Sequence, residues 1–78
     1  MRRQGEARKG LSWKEQREYE ALEAQIGTLE ARKADIEAEM NLHAQDYVRL
    51  KRLHEAQEEI EEKLEVAMAR WFELEERK

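Results

Sequence analysis

Apolar residues recur through most of this chain at alternating intervals of three and four. The first series is Tyr19, Leu22, Ile26, Leu29, Lys33, Ile36 and Met40, and the second is Leu50, Leu53, Gln57, Ile60, Leu64, Ala67, Trp71 and Leu74. This spacing puts each series on one face of an α-helix, as in a coiled-coil seam. Because 44 % of the 78 residues are charged and 6 % aromatic, the chain suits paired helices better than a layered core. We predict an all-α protein.

The two series are out of phase, so the helical pattern is interrupted between Met40 and Tyr47. A turn there predicts a two-helix antiparallel coiled-coil hairpin, with Asp46 capping the second helix. The hairpin domain would span 12–77, with helix 1 at about 12–40, a turn at about 41–46 and helix 2 at about 46–76. A three-residue insertion within one continuous helix is the competing explanation.

Ser12 marks the predicted start of helix 1. Its hydroxyl can accept from the amide of Glu15, and the Glu15 carboxylate can reach back to Ser12, which is the capping-box arrangement. The preceding residues contain Gly5 and Gly10 and show no apolar period. Residues 1–11 are therefore predicted to be a basic flexible linker.

The hairpin geometry favours one pairing of the two seams, with registers displaced by seven residues as the neighbouring solutions. The preferred register puts Lys33 opposite Leu53 and centres the turn on His43. It juxtaposes three charged pairs: Glu39 with Arg49, Glu18 with Arg70, and Glu23 with Glu61. Trp71 would return against residues 12–15, where packing explains it better than base stacking.

Charge is distributed unevenly along the chain. Residues 1–17 hold six of the 15 Lys and Arg but two of the 19 acidic residues, so the remainder is acidic. A second basic cluster lies near mid-chain, beside Tyr47 and His43, which could stack on bases. The candidate nucleic-acid-binding residues are Arg2, Arg3, Arg8, Lys9, Lys14, Arg17, Arg49, Lys51 and Arg52. The alternative interpretation is a solubilising linker and an ordinary solvated tip.

The residue types predict no catalytic chemistry in this chain. There is no cysteine, and no GxxxxGK[ST] phosphate-binding loop is present. His43 and His54 are too far apart, without a carboxylate motif, to predict a metal site. Paired carboxylates are interpreted as a solvated helix face, for example Glu58, Glu59, Glu61 and Glu62. We expect no cofactor, no metal and no membrane segment.

Two motifs resemble a known family. The LSWKEQRE segment at 11–18 and the RWFELE segment at 70–75 are similar to the opening and closing motifs of the C-terminal domain of Uup-type ABC-F ATP-binding cassette proteins. The likeness covers most of the chain. Glu23 stands where the family often has a proline, and the turn region 41–46 lacks the family's common Asp-Pro element.

The resemblance implies a cytoplasmic parent protein with two ATP-binding cassettes that acts on ribosomes or on DNA. On this interpretation the chain is a non-enzymatic, monomeric hairpin. Its expected partners are DNA or ribosomal RNA and the N-terminal cassettes of the same parent chain. The alternative is a structural coiled coil that spaces domains or dimerises.

Overall fold

A computed structural model describes residues 10–78 as two long helices that pack against each other. Helix α1 spans Trp13–Leu42, and helix α2 spans Tyr47–Arg77. The four residues between them reverse the chain, so the helices run antiparallel. The predicted all-α hairpin is confirmed, and a single continuous helix is excluded. At about 1.5 Å per residue, each helix is roughly 45 Å long.

Both helix starts are capped by side chains. The Ser12 hydroxyl accepts from the Glu15 amide at 3.1 Å, and the Ser12 amide donates to the Glu15 carboxylate at 3.1 Å. The predicted capping box is confirmed. At α2, Asp46 accepts from the amide of Arg49 at 3.1 Å, also as predicted. These bonds satisfy amides that have no acceptor within their own helix.

The turn is shorter than predicted because α1 continues past Met40 to Leu42. The amide of His43 donates to the carbonyl of Glu39 at 2.9 Å and closes the last turn of α1. The amide of Asp46 then donates to the carbonyl of His43 at 3.0 Å, which tightens the reversal. Hydrogen bonding along the backbone thus makes the turn compact without Gly or Pro.

The core lies along the seam between the two helices. Leu29, Ile36, Ile60 and Leu64 form its buried centre, and partly buried side chains pack around them: Ile26, Met40, Leu53, Ala56 and Met68. Leu74 is fully buried. It lies near the end of the hairpin opposite the turn, here called the open end. Burying an aliphatic side chain of this size contributes about 1.5–3 kcal/mol. The seam therefore holds the hairpin together along its whole length.

The cross-helix contacts correct the preferred register. Lys33 Nζ lies 3.7 Å from Glu61 rather than opposite Leu53, and the amide of Gln57 donates to Glu37 at 3.3 Å. The turn at residues 43–46 is centred between Ala44 and Gln45 rather than on His43, so the facing positions on α2 lie about three residues further along than predicted. The register therefore lies between the preferred one and the neighbouring solution displaced by seven residues. A seam of similar aliphatic side chains distinguishes weakly between such registers.

Of the three predicted charged pairs, one forms. Glu18 pairs with Arg70, as predicted. Glu61 meets Lys33 instead of Glu23, which replaces a like-charge contact by an attractive one. Arg49 contacts Asp46 instead of Glu39. The pairings predicted for Glu23 and Glu39 were wrong because the facing positions on α2 are displaced from the preferred register, a displacement that the long side chains of Glu18 and Arg70 span.

The surfaces that face away from the seam are polar over most of their length. Charged side chains are exposed on both helices, as the high proportion of charged residues requires. Neither helix in the described part of the chain is long and apolar enough to cross a membrane.

Candidate nucleic-acid interface

The candidate interface is at the turn end of the hairpin, here called the tip and defined as residues 41–52 plus Glu55. It contains three of the predicted nucleic-acid-binding residues: Arg49, Lys51 and Arg52. All three are exposed. The turn and the first two turns of α2 bring them together at one end of the rod.

Arg49 is engaged within the tip itself. Its guanidinium donates to Nε2 of His43 at 2.9 Å, and its Nε lies 4.0 Å from the Asp46 carboxylate. Asp46 also accepts from the Arg49 amide. Arg49 therefore braces the turn, and its charge is partly offset by its neighbour.

Lys51 and Arg52 differ from Arg49 because neither forms an ion pair with a carboxylate anywhere in residues 10–78. Both line a shallow depression on the outer face of α2, together with Tyr47, Val48 and Glu55. Their positive charges are available to an external anion. The two positive charges and the aromatic ring of Tyr47 therefore lie around the same depression.

Three large apolar side chains are exposed at the tip. Leu42, Tyr47 and Val48 expose 77 %, 81 % and 69 % of their surface. They are exposed because they lie outside the seam, whose α2 part begins at Leu50. We anticipated stacking by Tyr47 from the sequence but overlooked the apolar neighbours. The sequence signal for their exposure is that all three lie outside both apolar series.

The other described candidates, Lys14 and Arg17, lie at the opposite end of the rod. The guanidinium carbon of Arg17 lies 5.1 Å from the ring centroid of Trp13, which is 75 % exposed. This cation–π contact explains Trp13 without a ligand. By helix length, Lys14 and the tip are roughly 40 Å apart. The predicted residues therefore form two separate groups.

Four further candidates lie outside the described residues. They are Arg2, Arg3, Arg8 and Lys9 of the predicted basic linker. Their role stays a prediction.

The basic residues near the C-terminal end of α2 are paired. Arg70 donates to both carboxylate oxygens of Glu18, at 2.8 and 2.9 Å, and to Glu73 at 2.8 Å. These hydrogen bonds lower the pKa of Glu18 and raise that of Arg70. Arg77 pairs with Glu15, whose pKa is lowered first by the capping bond with Ser12 and further by Arg77. Such paired groups are poor phosphate ligands.

An aromatic cluster closes the open end beside these ion pairs. Tyr19 and Trp71 stack with ring centroids 5.6 Å apart, and Phe72 meets Trp71 edge-on at 5.1 Å. Trp71 therefore packs, as predicted, and its aromatic neighbours are Tyr19 and Phe72. The Tyr19 hydroxyl donates to Glu75, which raises the Tyr19 pKa, and accepts from Lys78 Nζ at 3.2 Å.

The middle of the rod is acidic. A shallow groove there is lined mainly by carboxylates: Glu30, Glu37, Glu58, Glu61, Glu62 and Glu65. The side chain of Lys33 also lines it. Within residues 10–78, no three His, Cys, Asp or Glu side chains converge to hold a metal ion. This surface repels phosphate, so the ends are the more favourable places for a polyanion.

A coiled-coil hairpin with a compact turn and a polar outer surface defines the chain as a helical-hairpin domain. Comparison with known families identifies the family to which this hairpin belongs. The family model described as ABC transporter C-terminal domain matches residues 10–76. The chain belongs to this family, and the resemblance to the C-terminal domain of an ABC-F-type protein is confirmed.

A curated relative supports the same assignment. The chain is 37 % identical over 67 residues to YfmR of Bacillus subtilis (strain 168), which is described as an uncharacterized ABC transporter ATP-binding protein. The matched region covers 86 % of this chain and 11 % of that protein. No solved structure matches the chain.

Proposed function

We propose that this hairpin is the nucleic-acid-binding C-terminal module of an ABC-F ATPase. The observation that carries the proposal is the pair of unpaired cations at the tip, Lys51 and Arg52. Most other described cations contact carboxylates or, in the case of Arg17, an aromatic ring. Free positive charge at the tip is what an attached polyanion would require.

The arrangement of charge along the rod supports contact by its ends. The acidic middle disfavours a nucleic acid that lies along the hairpin. The two positive regions are the tip and, in the sequence, the basic residues that precede α1. Contacts of this type attach to phosphates and carry little sequence preference.

The match to a longer relative supports a larger parent protein for this module. YfmR is named as an ATP-binding protein, and the hairpin covers a small part of it. We infer that the parent of this chain likewise carries ATP-binding cassettes that hydrolyse ATP, that it works in the cytoplasm, and that its target is DNA or ribosomal RNA. The hairpin would then position the cassettes on that target and take no part in hydrolysis.

Fluorescence anisotropy with labelled duplex DNA and a labelled ribosomal RNA stem-loop tests this proposal. We expect binding at low salt that weakens as salt rises. In the double variant Lys51→Ala and Arg52→Ala, the slope of log affinity against log salt on the duplex should fall by roughly 2. Lys63→Ala is the matched control, because Lys63 is an exposed cation of α2 outside the tip.

A second variant, with four substitutions, measures separately how much the start of the chain contributes to binding. It replaces the four basic residues outside the described range by alanine: Arg2, Arg3, Arg8 and Lys9. If the intact chain binds neither DNA nor RNA at low salt, the proposed function is wrong. A loss confined to the quadruple variant would assign binding to the start of the chain and not to the tip.

A purely structural role is the second candidate function. Val66 and Phe72 are 72 % and 54 % exposed on α2, and the acidic middle discourages phosphate binding. Such side chains could support dimerisation or domain spacing. This function predicts self-association and no salt-dependent nucleic-acid binding.

A further inference from the structure

We propose that the tip holds a single unpaired nucleotide, with its base stacked on the ring of Tyr47 and its flanking phosphates held by Lys51 and Arg52. The proposal deepens the proposed function and rests on it, because it specifies which form of nucleic acid the tip recognises. Single-stranded DNA and unpaired RNA share the required chemistry, a free base face beside negatively charged phosphates.

The exposure of Tyr47 is the first observation. The chain has two tyrosines, and Tyr19 is buried to 7 % exposure by its packing on Trp71, whereas Tyr47 remains 81 % exposed. No stacked or edge-on aromatic partner and no cation over the ring occupies Tyr47 in residues 10–78. Its ring faces are therefore open to a ligand.

The second observation is how the cations are placed around this ring. Tyr47 and Lys51 are four residues apart on α2, and so are Val48 and Arg52, so all four share one face of the helix. Together with Glu55 they line one depression. An aromatic surface with two free cations a single helical turn away matches a base and its adjoining phosphates.

The third observation is the charge of the surroundings. Along α2 the tip gives way to the acidic groove, which contains Glu58, Glu61 and Glu62. A strand that followed the rod would meet these carboxylates. Recognition is therefore confined to the end of the hairpin, where the ring of Tyr47 offers a surface to one base.

Base pairing determines which nucleic acid can use this site. In a continuous duplex each base face is covered by its neighbours, so Tyr47 would have nothing to stack on. Loops, bulges and single strands expose base faces, and stacking on an aromatic side chain tolerates any base. We therefore expect the tip to prefer unpaired nucleotides to a duplex.

The experiment compares a single strand with a duplex in the 78-residue chain. The probes are a labelled oligothymidine, its RNA counterpart and a duplex long enough that its two terminal base pairs are a small share of its length, titrated at equal salt and equal phosphate concentration. A single-stranded probe that contains 2-aminopurine reports stacking directly, because its fluorescence is quenched when the base stacks. Circular dichroism of each variant confirms that the helices are retained.

We expect tighter binding of both single strands than of the duplex. Tyr47→Ala should weaken single-strand binding by roughly 5-fold to 100-fold and abolish the quenching, with duplex binding changed less than about 2-fold. Tyr47→Trp should preserve both signals. Trp13→Ala is the matched control, because Trp13 is equally exposed at the opposite end of the rod.

Each contrary outcome has a distinct meaning. If nucleic acids bind but Tyr47→Ala changes nothing, or weakens duplex and single strand equally, the stacking site is wrong while the proposed function stands. If Trp13→Ala weakens single-strand binding as much as Tyr47→Ala does, the stacking site is also wrong. If none of the probes binds the intact chain, the proposed function fails as well, and the apolar tip is then to be tested for a protein partner.

Discussion

Identical residue types have different roles in this hairpin because of their position relative to the seam. Tyr19 lies within the first apolar series and is buried, whereas Tyr47 precedes the second series and is exposed. Trp71 packs on Tyr19, although its Nε1 is buried without a hydrogen-bond partner among the residues that the structure describes. Leaving a buried donor unpaired destabilises the fold by about 1–3 kcal/mol, and an aromatic pair stabilises it by about 0.5–1.5 kcal/mol. The apolar area that Trp71 buries must therefore supply the remaining stabilisation.

The Glu18–Arg70 pair makes stability depend on pH. Because Arg70 lowers the pKa of Glu18 below its ordinary 4.5, the pair stabilises the fold fully above that value and is lost as the pH falls through the folded pKa. Glu18→Gln should therefore be less stable than the parent chain at pH 7, and the difference should shrink below about pH 4. Urea unfolding followed by circular dichroism at several pH values measures this difference.

Glu59→Gln is the control for that experiment. Glu59 is an exposed carboxylate of α2 that forms no ion pair in residues 10–78. Comparison with this variant removes the general effect of reducing the negative charge. A difference between Glu18→Gln and the parent chain that stays constant down to pH 3 would contradict the assigned role of the pair.

The two helices begin and end where local chemistry allows. Side-chain caps at Ser12 and Asp46 start them, and the hydrogen bond from the His43 amide to Glu39 ends α1. Within α1, Gly27 interrupts an otherwise favourable helical sequence. A methyl group added there would meet no atom within 4 Å, so no packing reason requires glycine.

Gly27→Ala should therefore stabilise the hairpin by about 0.5–1 kcal/mol, because alanine loses less backbone freedom in a helix. Ala24→Gly, at another exposed position of α1, should destabilise it by a similar amount. Thermal and urea unfolding measure both changes. A destabilised Gly27→Ala variant would indicate that Gly27 contacts something outside this chain.

The whole hairpin is a rod with different surfaces at its two ends and an acidic middle. The open end is closed by aromatic stacking and ion pairs, whereas the tip leaves apolar and positive groups uncovered. Both helices bury their seams against each other, so the seam is already satisfied within one chain. The rod can therefore fold without a second copy.

We expect a monomer as a consequence. The chain should sediment as a single species at monomer mass, and its midpoint of thermal unfolding should not change over a hundredfold range of concentration, because unfolding of a monomer does not depend on concentration. Analytical ultracentrifugation and circular dichroism provide the two measurements. A midpoint that rises with concentration would instead favour the structural, dimerising function.

Much of the fold could be predicted from local pattern. The three-and-four spacing specified two amphipathic helices, the phase break located the turn, and the Ser12 and Asp46 caps followed from residue type. The motifs at 11–18 and 70–75 also indicated the family. These features depend on neighbours within one or two helical turns, so the sequence alone contains them.

The residue pattern alone specified two helical segments with a break between them, and basic and acidic regions along the chain. The register, the contact of Glu61 with Lys33 and the stacking of Trp71 on Tyr19 became known from the packed helices. The packed structure also shows that Arg49 is engaged by its own turn, whereas Lys51 and Arg52 form no ion pair within residues 10–78. The physical reason is that a seam of similar aliphatic side chains permits several registers, and which charges are neutralised depends on the one that the two helices adopt.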